Sequence, residues 1–204
     1  AKPELQDEGM TAVFPYLEGK TRAELLGEIL TAQGADAEVS AIRAAMDEIY
    51  SIRPEERKPF AVTPEFIKVF NALGELDSYR DKETENGGGW ASLGAVLADE
   101  SYSASNIDAL FENMLVTADG TYAIDYEWVF LFPVPAGFVK YRTLVYFYRR
   151  YKSLLGGQAE REFIGQFPEH VKADEKLLSL YEAMERGFQE YVHGENQRTY
   201  QEDY

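Results

Sequence analysis

The tightest constraint on this chain lies at Asp119-Gly120. Asp-Gly between two apolar-rich runs is a strong short-range hairpin signal, because the favoured two-residue turn needs positive φ at its centre. Here the runs are NMLV, residues 113–116, and YAIDY, residues 122–126. The residues just upstream carry a competing signal. Ile107, Leu110, Phe111, Met114 and Leu115 recur at helical spacing, with Ser105 placed to cap. Both patterns cannot hold, since a hairpin claims Met114 and Leu115 for its first strand; any helix must stop before Asn113. With a three-residue loop at 118–120, Thr117 faces Thr121 and Asn113 lies across from Asp125. With a two-residue turn the register shifts by one and the pair stay neighbours. The preceding loop brings Asp108 to the same open end. Three oxygen donors with no histidine or cysteine suit a hard cation such as magnesium. On the plainer reading, these side chains are only the polar trim of a helix and a hairpin.

The flanking segments read mainly as helix. Residues 10–16, MTAVFPY, form a short buried strand stopped by Pro15. Thr21 and Glu24 have the spacing of a capping box, opening a helix from about Arg22 to Thr31 that ends at Gly34-Ala35-Asp36. Val39, Ile42, Met46, Ile49 and Tyr50 mark a second helix, stopped by Pro54. Thr63 caps a third, with Pro64 in its first turn. Residues 75–89 are charged, end in NGGG and read as a mobile loop, with no strand before it and no Lys-Ser/Thr after it to make a phosphate cradle. Residues 138–155 make an aromatic helix that is apolar around most of its circumference and hence buried. A last helix runs from about Ala173 to His193, and the tail beyond it frays. The fold class is mainly α with a small β-hairpin, and no linker divides it.

Composition removes whole classes of function. There are 204 residues, 45% of them hydrophobic, which is ample for a core. No apolar run is long enough to span a membrane. The absence of cysteine excludes disulfides, thiolate metal sites and cysteine nucleophiles, and fits a cytoplasmic protein. Two histidines, both in the polar C-terminal third, do not make a histidine triad or a zinc cage. A net charge of −16 repels nucleic acid and anionic lipid, so neither is an expected partner.

Asp108-x-x-x-x-Asn113, a short hairpin and then Ile124-Asp125-Tyr126-Glu127 together resemble the catalytic loop and metal-binding segment of the protein-kinase-like superfamily. The likeness is nearest to the aminoglycoside and choline phosphotransferase branch, whose second motif reads Ile-Asp-aromatic-Glu. VFPYLEGKTRAELL, residues 13–26, is similar to the last N-lobe strand, the hinge and the helix after it. The resemblance implies a single kinase-like C-lobe over 1–204. Residues 1–16 would supply the last N-lobe strand and hinge, and 17–204 a helical lobe with its catalytic-loop hairpin at 104–128. It implies Asp108 as catalytic base, with Asn113 and Asp125 as ligands of magnesium on ATP. Glu127 is expected to be a buried capping group. The acceptor would be a small-molecule or glycan hydroxyl, with Trp128, Phe130, Phe132 and the acidic loop 75–86 as places to look for its pocket. Three positions depart from the pattern. Asn106 stands where a histidine is usual, Leu110 stands where lysine or histidine is usual, and the N-lobe is essentially absent. Of these departures, the missing N-lobe implies either a piece of a larger polypeptide, with its other domains as partners, or a lobe that was lost or comes from another part of an assembly. The aromatic-rich block after Trp128 is similar to a domain appended to surface-polysaccharide glycosyltransferases or methyltransferases. The isolated chain would then be inactive. The departures also leave a second expectation, a kinase-like scaffold or binding module without catalysis.

Overall fold

The computed structural model describes residues 4–6, 11–13, 16–51, 57–81, 89–102, 104–172 and 174–194. The chain opens with β1 (Glu4–Gln6) paired antiparallel to β2 (Thr11–Val13), then β3 (Lys20–Thr21). Residues 10, 14 and 15 of the expected first strand, and its burial, lie outside the described residues. Helix α1 (Arg22–Gln33) starts at the capping box read from the sequence. The Thr21 hydroxyl accepts the Glu24 N–H at 3.2 Å, and the Glu24 carboxylate accepts the Thr21 N–H at 2.8 Å. The helix ends at Gly34, whose φ of 85° is a conformation that only glycine holds without strain. Helix α2 (Ala35–Ile49) folds back on α1, and Pro54 beyond it is outside the described residues.

Strand β4 (Arg57–Pro59) leads to α3 (Pro64–Phe70), where Thr63 caps by accepting the Phe66 N–H at 3.2 Å. The described part of the expected mobile loop is ordered. Glu75–Tyr79 form a 3-10 turn, and the Asp81 carboxylate accepts the Ala91 and Ser92 N–H groups at the start of α4 (Ala91–Val96). Residues 82–88, including most of the glycine run, lie outside the described residues. Next come β5 (Glu100–Tyr102), paired with β4, and β6 (Ser105–Asn106). The hairpin is β7 (Met114–Thr117) with β8 (Gly120–Ala123), and β3 joins it on the β7 edge. Strand β9 (Val129–Phe130) returns to pair with β6. The remainder is helical: α5 (Ala136–Tyr151), α6 (Glu160–Ile164) and α7 (Glu175–His193), the last capped by Asp174.

The structure is therefore mainly helical with small antiparallel sheets. It holds more strand pairs than the one hairpin expected, plus the short helices α4 and α6. Those pieces are two to six residues long, too short to show a period in sequence. One hydrophobic core serves the described residues. Phe70 sits at its middle, its ring meeting Phe66 of α3, Phe138 of α5, Phe130 of β9 and Phe188 of α7 at centroid distances of 4.9–6.2 Å. Helices α3 and α7 approach so closely at Gly187 that a Cβ there would collide with the Phe70 carbonyl oxygen.

Candidate functional site

The hairpin closes with a two-residue turn, Ala118-Asp119, and Thr117 pairs with Gly120 rather than Thr121. The three-residue register is thereby corrected. Asn113 stands opposite Ile124, whose N–H donates to the Asn113 carbonyl at 2.8 Å, and Asp125 follows just past the end of the ladder. Asp125 takes φ = 51°, the only positive φ of a non-glycine residue among the described residues. Aspartate tolerates this region better than most residues, yet it remains a local cost that the surroundings must sustain. The turn turns the Asp125 carboxylate out of the strand and into an open cleft of about 1080 Å³. Asp108, Asn113 and Glu127 line the same cleft. Glu127 is exposed, so the expectation of a buried capping group does not hold.

Asp108 lies on a loop, residues 107–110, that is buried without regular hydrogen bonding. Buried carbonyls need donors, and side chains from three other elements supply them. Arg142 of α5 donates to the Ile107 carbonyl. Asn113 Nδ2 donates to the Asp108 carbonyl at 3.0 Å. Tyr50, at the end of α2, and Thr143 of α5 both reach the Ala109 carbonyl, at 2.7 and 3.0 Å. Asn106, the departure from the usual histidine, accepts the Asp108 N–H through its Oδ1 at 3.0 Å and so turns the chain into the loop. Leu110 is buried and lines the cleft, so its apolar character is a packing requirement.

The Asp108 carboxylate is oriented as firmly as its backbone. Oδ2 accepts the Trp128 N–H at 3.0 Å, and Oδ1 lies 3.5 Å from Arg142 Nη1. Burial pushes its pKa above the ordinary carboxylate range; the Arg142 charge and the Trp128 N–H pull it back, and the nearby Asp125 charge pushes it up. Arg142 is only 2% exposed. It is shared with Glu185 of α7 at 2.7 Å, and the Glu185 carboxylate also accepts from Tyr146 and Gln189 at 3.0 and 2.9 Å. An uncompensated charge at this depth would cost several kcal/mol, so this arginine and two carboxylates form one unit.

Scans against protein-family models, curated proteins and solved structures found no match for this chain. The functional reading therefore rests on the chemistry of the side chains.

Asp108, Asn113 and Asp125, all singled out from the sequence, line one cleft. They are not equivalent in it. Both Asp108 oxygens are engaged by protein groups, whereas Asp125 makes no hydrogen bond among the described residues. Asn113 spends its Nδ2 on a carbonyl, which leaves Oδ1 as a spare acceptor. Asp125 and Asn113 Oδ1 thus fit a small hard cation that takes most of its ligands from phosphate and water, as magnesium does. They do not make an all-protein cage. Among the described residues no group of three or more histidine or acidic side chains could hold a metal.

Sequence reasoning missed Glu112, Arg142, Tyr146, Glu185 and Gln189. Glu112 lines the cleft; its Oε2 is buried without a hydrogen-bond partner among the described residues, and burial raises its pKa. A signal for Arg142 did exist, because a charge inside an otherwise apolar aromatic helix requires a buried counter-ion. Nothing in the sequence named Glu185 as that partner. Of the aromatics flagged for the acceptor pocket, Trp128 lines the cleft, while Phe130 is 9% exposed and stacks on Phe132. Among the described residues no helix is long and apolar enough to cross a membrane.

Proposed function

We propose that the cleft is a phosphotransfer site of the protein-kinase-like kind, within a C-lobe that belongs to a larger polypeptide. Asp108 accepts the proton of an acceptor hydroxyl on a small molecule or glycan. Asn113 and Asp125 hold magnesium, which neutralises charge on the phosphates of ATP when bound. The observation that carries this reading is the division of labour among the three residues: one carboxylate oriented on two sides, beside a carboxylate and an amide oxygen left available. Positioning and charge neutralisation are what phosphoryl transfer asks of a protein. The raised pKa of Asp108 also makes its carboxylate a stronger base once it is ionised. Other domains of the polypeptide would supply the nucleotide contacts expected of an N-lobe, and catalysis would require them.

One observation favours a second reading. Both Asp108 oxygens are satisfied within the protein, which is also how a structural carboxylate is treated, and a scaffold without catalysis would keep the same contacts. Thermal shift with magnesium and a non-hydrolysable ATP analogue separates the two, run on this chain and on a version extended upstream. The phosphotransfer reading expects magnesium-dependent stabilisation of the extended version, lost in Asp125→Asn. It also expects transfer to fall at least about a hundredfold in Asp108→Asn, the usual weight of a general base. No nucleotide response in the extended version leaves only the scaffold.

A further inference from the structure

A second chamber of about 540 Å³ lies between α5 and α7, closed on one side by α6 and on another by Leu73 in the turn after α3. It adjoins the cleft of Asp108, and Tyr146, Arg149, Gln189 and His193 line both. Its chemistry differs from that of the cleft. Each of its carboxylates and arginines is already committed to a partner: Arg149 to Glu160 at 3.2 Å, Glu182 to Arg161 at 2.8 Å, Glu185 to Arg142 at 2.7 Å, and Arg186 to Glu75 at 2.6 Å. A charged ligand would have to break one of these pairs, whereas a neutral one leaves them intact.

The groups with capacity to spare are neutral. Tyr141 lines the chamber and is 2% exposed; its hydroxyl makes no hydrogen bond among the described residues and is not among the unpartnered polar atoms sealed from solvent, so it is open to a ligand. Gln189 donates through Nε2 to Tyr146 and Glu185, which leaves its Oε1 as an acceptor. Leu73, 47% exposed, adds an apolar wall. A donor and an acceptor that are both uncharged, beside apolar and aromatic surface, match the hydroxyls and C–H faces of a sugar.

We propose that this chamber is a binding site for a neutral saccharide, with Tyr141 and Gln189 as its hydrogen-bonding floor. Saccharide binding stands by itself. Its role as the distal part of an acceptor whose reacting hydroxyl reaches Asp108 rests on the phosphotransfer reading.

The test is a panel of neutral di- to tetrasaccharides of glucose, galactose, mannose and N-acetylglucosamine, with uronate-containing counterparts. Binding is read by saturation-transfer NMR and titration calorimetry, without magnesium or nucleotide. The expected result is binding of at least one neutral member, weakened about tenfold by Tyr141→Phe, the factor for one hydrogen bond. The variant keeps the ring and hence the fold, checked by an unchanged circular dichroism spectrum. No neutral binder in the panel, a binder indifferent to Tyr141→Phe, or preference for the uronates overturns the proposal. Because nucleotide is absent, a failed phosphotransfer test leaves a positive saccharide result standing, and the reverse also holds.

Discussion

Glu38 is the least comfortable residue in the molecule. It is fully buried on α2, and neither carboxylate oxygen has a hydrogen-bond partner among the described residues. Burial pushes its pKa up to about 7, from an ordinary value near 4.5. A group that holds its proton more tightly folded than unfolded stabilises the fold fully below the unfolded pKa. That contribution is lost as pH rises toward the folded pKa. Stability should therefore fall by about 2–4 kcal/mol between pH 4.5 and 7 through this residue. Glu38→Gln should flatten that slope and raise the urea midpoint at pH 8; a slope unchanged in the variant would refute the assignment. Arg142 presents the opposite case, a buried charge fully compensated. Arg142→Met strands Glu185 and should cost about 3–5 kcal/mol. Adding Glu185→Leu should recover part of it, since Asp108 still lacks its counter-charge, and an equal loss in the double variant would rule out stranding of Glu185 as the cause. Of these residues, Asp108, Asn113 and Asp125 were legible because their spacing is short and bracketed by a turn signal. Glu38 and Glu185 were not, since an acidic residue on a helix looks solvent-facing until tertiary packing covers it.

Among the elements, legibility followed length and capping. The starts of α1 and α3 are legible from their side-chain caps, Thr21 and Thr63, and α7 from its long apolar face, which places it within two residues of its bounds. The aromatic helix departs from the expected 138–155 at both ends: it begins at Ala136, where Pro135 opens it without a side-chain cap, and it ends at Tyr151, with residues 152–155 in turns. Hairpin register stays open between two alternatives in the sequence, since both loop lengths suit the Asp-Gly signal; the ladder selects the two-residue turn. The α3–α7 crossing shows what sequence conceals entirely. Gly187 reads there as a helix-weakening residue, yet its missing Cβ is what lets α7 lie against the Phe70 carbonyl. Alanine would add about 1 kcal/mol of helix propensity, but it forces backbone apart from backbone, an overpacking cost of about 1–3 kcal/mol or more. Gly187→Ala should thus lower Tm by calorimetry; a Tm equal to or above that of the parent would show that α3 and α7 slide freely.

At the scale of the molecule, the site is a product of complete assembly. The loop 107–110 draws on α2, α5 and the hairpin at once, so it has no stable form before those parts meet. The amides of Asp108, Leu110 and Asn113 are all hydrogen-bonded within this unit. Hydrogen exchange at these amides should proceed only by global opening, as slowly as in the middle of α5. Exchange orders of magnitude faster than in α5 would mean that the loop opens alone. The net charge of −16 works on the same scale, favouring solubility and repelling polyanions.

The shared grip of Tyr50 and Thr143 on the Ala109 carbonyl has a practical corollary for purification and refolding. Their hydroxyls, 93 residues apart in sequence, must converge on one oxygen before the Asp108 loop is shaped. Any ligand that recognises the loop is consequently a reporter of correctly folded molecules. A preparation that retains helical circular dichroism but has lost this convergence would bind nothing, and the fraction able to bind gives the fraction that is native.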